Sequence, residues 1–82
     1  MTYKKLRPTP EIVVLGIDPG TTRIGYGVIK KSGSVIKLLD YGVIEPGKND
    51  DRFRILEKSL NLIIKKFKPS LAAVEKIYFS KN

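Results

Sequence analysis

The stretch Ile12-Val13-Val14-Leu15-Gly16-Ile17-Asp18-Pro19-Gly20-Thr21-Thr22-Arg23 runs an apolar segment into one acidic residue and then into a turn. A near-continuous apolar run of this length, bounded by turn residues, reads as a central strand covered on both faces. Pro19 cannot donate to a sheet ladder and Gly20 tolerates the dihedrals of a turn, so the strand stops there. Asp18 is therefore expected where the strand leaves the sheet, and the carboxyl ends of strands in α/β sheets are a common place for active sites.

Working outward, Arg23 to Lys30 reads as a second strand with Ile24, Tyr26 and Val28 on one face and Gly25, Gly27 and Ile29 on the other. The two glycines leave their face open to close approach by another backbone. Lys31-Ser32-Gly33-Ser34 suits a hairpin connection to a third strand, Val35 to Ile44. That strand is expected at an edge, where Lys37 and Asp40 discourage further pairing. Strands one to three then form an antiparallel meander. The period changes from two to 3.6 at Phe53, Leu56, Leu60, Ile63, Ile64 and Phe67, which predicts an amphipathic helix from about Asp50 to Phe67. Asn49, Asp50 and Asp51 suit its start, Lys65, Lys66 and Lys68 its negative end, and Pro69 its termination. Leu71 to Glu75 is a short fourth strand, and a right-handed crossover places it parallel to the first. Residues 1–11, with three positive charges and two prolines, read as a basic arm without regular structure.

Composition narrows the chemistry. An 82-residue chain supports one small domain at most. Sixteen Lys and Arg against eight Asp and Glu give a net charge of +8, which suits a polyanion, nucleic acid before an anionic membrane. With no cysteine and no histidine, zinc sites, thiol nucleophiles and Ser/His/Asp triads are excluded within these residues. A metal must be held by oxygen, which favours Mg²⁺ or Mn²⁺. No disulfide, signal-peptide core or membrane-length apolar span is present, so a cytoplasmic location is expected.

If strands one and four are parallel neighbours, Asp18 and Glu75 share one edge of the sheet. Strands lie about 4.8 Å apart, so two such carboxylates can hold one divalent cation. Metal ions can then generate the attacking hydroxide and stabilise the leaving oxygen of a phosphodiester without histidine. The plainer alternative makes Asp18 a turn cap and Glu75 the start of a solvated loop. After Glu75 comes Lys76-Ile77-Tyr78-Phe79-Ser80-Lys81-Asn82, two adjacent aromatics flanked by Lys76 and Lys81. One ring is expected to stack on an unpaired base while the lysines meet phosphates, and the other to belong to the core. Arg52, Arg54 and Lys58 on the helix read as a solvated face. Thr21 and Thr22 can donate to a phosphate or satisfy their own turn.

The segments Leu15-Gly16-Ile17-Asp18-Pro19-Gly20, Gly25-Tyr26-Gly27-Val28-Ile29 and Ala73-Val74-Glu75-Lys76-Ile77-Tyr78-Phe79, followed by Ser80-Lys81-Asn82, in this order and spacing resemble the RuvC family of Holliday-junction resolvases. The resemblance covers about residues 12–82. It implies a ribonuclease H-like α/β fold with a mixed sheet, a homodimer, and Mg²⁺-dependent paired nicks at four-way DNA junctions, with RuvA and RuvB branch-migration proteins as partners. It makes Asp18 and Glu75 metal ligands, and Tyr78, with Phe79 as neighbour, the aromatic that contacts junction bases. The family continues for roughly as long again, to a last helix with two further acidic ligands, so residues 12–82 resemble its amino-terminal half and are expected to be inactive alone. Asp40, Asp50 and Asp51 do not substitute, because they belong to the edge strand and the helix start. Three other readings stand beside this one. A YqgF-type ribonuclease H-like RNA nuclease shares the aspartate and glutamate strands, but Pro19 and the Tyr78-Phe79 loop favour the resolvase. The first half of an actin-like ATPase would use Gly20-Thr21-Thr22 around ATP phosphates, against which Glu75 and the lysine-rich aromatic tail argue. A noncatalytic basic DNA-binding module is the third.

Overall fold

The computed structural model describes residues 10–20 and 22–75. Strands β1 (Glu11–Pro19), β2 (Ile24–Ser32) and β3 (Val35–Ile44) are followed by helix α1 (Arg52–Phe67) and strand β4 (Leu71–Val74). One mixed sheet results, in the order β3-β2-β1-β4, with β1 antiparallel to β2, β2 antiparallel to β3, and β4 parallel to β1. The antiparallel meander, the parallel fourth strand and the crossover helix agree with the sequence expectation.

Local chemistry explains most boundaries. The β1–β2 pairing runs without a break from Glu11 opposite Ser32 to Pro19 opposite Ile24. Glu11, which the sequence groups with the basic arm, is instead the first residue of β1. Its carboxylate accepts a hydrogen bond from Ser32 Oγ at 3.3 Å and lies 3.7 Å from Lys30 Nζ, partners that only the folded hairpin brings across from it. Residues 1–9 of the arm lie outside the described residues. The turn after β1 needs its glycine, since a Cβ on Gly20 would run into the Arg23 carbonyl. The β2–β3 connection is tighter than the four residues expected. Gly33, at φ 61°, supplies the positive dihedral that a two-residue hairpin turn requires, so β2 continues to Ser32.

Helix α1 starts at Arg52, slightly later than expected. Asn49 Oδ1 accepts from the Asp51 amide at 3.1 Å, which ties up the turn before the helix, and Asp51 itself makes no side-chain cap. At the other end Lys68 is left-handed (φ 49°) and donates its amide to the Ile64 carbonyl at 2.8 Å. The chain then enters β4, with the Ser70 amide donating to the Val13 carbonyl.

Because side chains alternate along strands, the sheet has two distinct faces. Leu15, Ile24, Val28 and Ile44 point to one face and are its buried core. Helix α1 covers that face through Leu56, Leu60, Ile63 and Phe67, which are half-buried. Phe53 and Ile64, expected on the buried stripe, are 67% and 45% exposed. Phe53 lies in the first helical turn, where the Arg52 guanidinium stacks on its ring at 4.6 Å. On the second face Ile36, Leu38, Tyr41, Val43 and Leu71 are exposed, and no described element covers them. The expectation that β1 is covered on both faces therefore holds for only one face among the described residues.

Asp40 departs from its expected role as an edge-strand charge. The register of β2 against β3 shifts between Val28 and Ile29. On the Ile24 side of this shift, Asp40 pairs with Val28 and joins the helix-side face, where it accepts a hydrogen bond from the Tyr26 hydroxyl at 3.1 Å. The Tyr26 ring crosses Gly42, where a Cβ would come within 2.9 Å of it. Burial, then the hydrogen bond to Asp40, then the Asp40 charge raise the Tyr26 pKa above its ordinary value.

Candidate active site

Asp18 and Glu75 meet at the carboxyl ends of neighbouring parallel strands. The pairing advances in step from Val14 opposite Leu71 to Ile17 opposite Val74. One residue further, the Glu75 amide donates to the Ile17 carbonyl at 3.0 Å, which carries the alignment past the end of β4. Asp18 and Glu75 thus follow a matched pair and project to the same face, as expected from the parallel register. The Glu75 and Asp18 carboxyls stand close enough to interact: hydrogen bonding between them once Glu75 is protonated, then the Asp18 charge, then a little desolvation raise the Glu75 pKa above its ordinary value.

The two carboxylates stand at one end of an open groove of about 590 Å³. Its floor is the β2-β1-β4 portion of the sheet, where Gly16 lies opposite Gly27 and Asp18 opposite Gly25. A Cβ would meet nothing within 4 Å at Gly27 and only ordinary contacts at Gly16 and Gly25. The packing of the described residues does not require glycine at these three positions. The sequence pointed to Gly25 and Gly27. Gly16 was missed, although its place two residues before Asp18 puts it on the same face of β1.

Two facing carboxylates with oxygen donors only suit a hard divalent cation. Among the described residues no group of three or more His, Cys, Asp or Glu could complete a metal centre. Tyr78, Phe79, Lys76 and Lys81 lie outside the described residues. Asp50 and Asp51 sit before α1 and form no metal-binding group with Asp18 and Glu75 among the described residues, and Asp40 is on the opposite face. No helix of the described residues is long and apolar enough to cross a membrane.

The raised Glu75 pKa has a definite sign. A carboxyl whose folded pKa exceeds its unfolded value contributes stability that is fully present below the unfolded pKa and is lost as pH rises through the folded one. In chelator, the urea midpoint of the chain is expected to fall across and just above the ordinary carboxylate range, and Glu75→Gln is expected to flatten that fall. Mg²⁺ should raise the midpoint of the parent near neutral pH but not that of Glu75→Gln. Identical pH and Mg²⁺ responses in the two proteins would show that the carboxylates do not act on one another.

A mixed 3-2-1-4 sheet with facing carboxylates at the ends of β1 and β4 defines a ribonuclease H-like protein. Residues 14–82 match the family model described as Crossover junction endodeoxyribonuclease RuvC. The chain belongs to the RuvC family. The Crossover junction endodeoxyribonuclease RuvC of Petrotoga mobilis is 49% identical over 74 residues, covering 87% of this chain and 45% of the relative. A Thermus thermophilus RuvC structure superimposes with a TM-score of 0.74 at 28% identity, covering 87% of this chain and 46% of the other. The same protein in complex with a Holliday junction substrate gives 0.72 at 27%. An Aquifex aeolicus PPX-GPPA enzyme shares the fold alone, with a TM-score of 0.62 at 14% identity over 79% of this chain and 26% of the other. The chain spans about half the length of the curated relatives it matches.

Proposed function

We propose that this chain is the amino-terminal half of a nuclease that resolves four-way DNA junctions, with Asp18 and Glu75 as ligands of a catalytic divalent cation, Mg²⁺ or Mn²⁺. The observation that supports this reading most directly is the meeting of Asp18 and Glu75 on neighbouring parallel strand ends. When bound, such a cation supplies Lewis-acid chemistry that polarises the phosphodiester and acidifies water. The chain's own residues do the rest. The two strands hold the carboxylates rigidly, and the chain's net charge of +8 attracts the DNA backbone. Tyr78 stacks on a base exposed at the junction, with Phe79 turned toward the protein and Lys76 and Lys81 on phosphates. Adjacent residues on a strand or short loop do not face the same way, which separates the two aromatic roles. The reading extends to a homodimer, to RuvA and RuvB as partners in branch migration, to a cytoplasmic location and to a basic arm at residues 1–10.

The test joins this chain to the second half of the Petrotoga mobilis relative and assays cleavage of a four-way junction. Mg²⁺-dependent cleavage of the junction over duplex is expected from the joined enzyme and none from these 82 residues alone, because the family resemblance implies two further acidic ligands in the second half. Stacking on a base is worth about 1–3 kcal/mol, so Tyr78→Ala should slow junction cleavage by roughly 5- to 150-fold while Tyr78→Phe keeps most activity. Equal cutting of duplex and junction by the joined enzyme would overturn the proposal. Cleavage slowed by Phe79→Ala but not Tyr78→Ala would exchange the two roles.

A further inference from the structure

Outside the carboxylate groove, the outer face of α1 carries a run of exposed basic residues. Arg54, Lys58, Asn61 and Lys65 recur at helical spacing along one stripe and line a shallow groove of about 420 Å³ with Glu57 and Leu62. All six residues are exposed. Taken from sequence alone, the cations are a solvated face, but two observations weigh against that reading. First, the helix itself does not explain them. Lys65 lies in the last turn, where the helix dipole favours cations, whereas Arg54 stands in a first turn without acidic residues, at the end where the dipole disfavours them. Second, the ion pairs among the described residues are Arg23 with Glu45 and Lys30 with Glu11. Arg54, Lys58 and Lys65 therefore keep their charge available, even though Glu57 lies one turn from Arg54 and next to Lys58 in the chain.

We infer that this stripe is a track for the phosphate backbone of duplex DNA. The ligand choice rests on the junction-nuclease reading. At 1.5 Å per residue, Arg54 to Lys65 spans about 16 Å, which along a duplex axis corresponds to about five phosphates of one strand. The track has a definite position relative to the carboxylates. Arg52 and Phe53 share a small cleft with Gly20 and Ile24, so the stripe begins at the Asp18 end of the sheet and runs back along the helix. A duplex arm leaving the carboxylate edge on that side would pass along it.

The test measures binding of the 82-residue chain to a labelled duplex by fluorescence anisotropy between about 50 and 200 mM salt. One variant carries Arg54→Gln, Lys58→Gln and Lys65→Gln. Gln matches Arg and Lys closely in helix propensity, and circular dichroism checks that the helix persists. A control carries Lys31→Gln, Lys37→Gln and Lys48→Gln, three exposed lysines elsewhere, for the same change in net charge. Removing one cation from a phosphate lowers the slope of log K against log salt by about 0.9, so the stripe variant should show a slope shallower by about 2.7. The parent's affinity would then fall about 40-fold more than the variant's over that salt range, and the control's slope should change by less than half as much. Equal changes in both variants, an unchanged stripe variant, or a parent that does not bind duplex would overturn the inference. So would tighter binding to polyglutamate than to duplex, which would assign the stripe to an acidic protein. Junction cleavage by the joined enzyme is scored separately, so a failed track and a failed nuclease reading give different results.

Discussion

Asp18→Asn, or Glu75→Gln, in the chain joined to the second half of its Petrotoga mobilis relative is expected to lower junction cleavage by about 10³-fold or more while leaving junction binding nearly intact. The two effects separate because they draw on different groups. Metal-assisted stabilisation of a phosphodiester transition state is worth several kcal/mol, and about 4 kcal/mol corresponds to a thousandfold in rate. Affinity for DNA comes mainly from phosphate contacts with cations, which neither substitution touches. Each substitution removes one anionic oxygen donor from the facing pair while nearly preserving side-chain volume. Single-turnover cleavage and junction binding, measured on the same preparations, decide the matter. Cleavage at the parent rate by either variant would remove that residue from the catalytic role.

Leu15→Ala carries the largest expected effect on stability. Leu15 is 1% exposed and lies opposite Val28 on one side and Ala72 on the other, at the centre of the helix-covered face. Truncating a buried leucine costs about 3–5 kcal/mol through the apolar burial it removes and the cavity it leaves. Domains are stable by about 0.05–0.15 kcal/mol per residue, so a change of this size is a large part of the total for so small a sheet. Ile36→Ala, at a side chain 62% exposed, should change stability by less than about 0.5 kcal/mol. Urea denaturation of both variants checks the contrast. A cost below about 1 kcal/mol for Leu15→Ala would mean that α1 does not seal the face it crosses.

Most of the fold is legible in local sequence. The apolar run into Asp18-Pro19-Gly20 marks β1 and its end, because a proline and a glycine together cannot continue a ladder. The change from period two to 3.6 marks α1, and the connection through a helix makes β4 parallel to β1, since such crossovers keep one hand. That handedness is also why the meeting of Asp18 with Glu75 could be expected from residues far apart in the chain. The sequence by itself thus determined the order, type and approximate bounds of the elements and the two carboxylates worth watching, because these depend on side-chain periodicity and backbone chemistry within a few residues.

What the tertiary structure decided is what depends on partners distant in sequence. Glu11 joined β1 because Ser32 and Lys30 arrive across from it. Asp40 turned to Tyr26 because the β2–β3 register shifts beside Val28, and a one-residue slip moves every side chain beyond it to the other face. Phe53 and Ile64 carry the correct period yet stay exposed, since periodicity names a stripe while the sheet's position decides how much of it is covered. The open floor of Gly16, Gly25 and Gly27 arose the same way, from three glycines on two strands brought side by side by a pairing that no local pattern specifies.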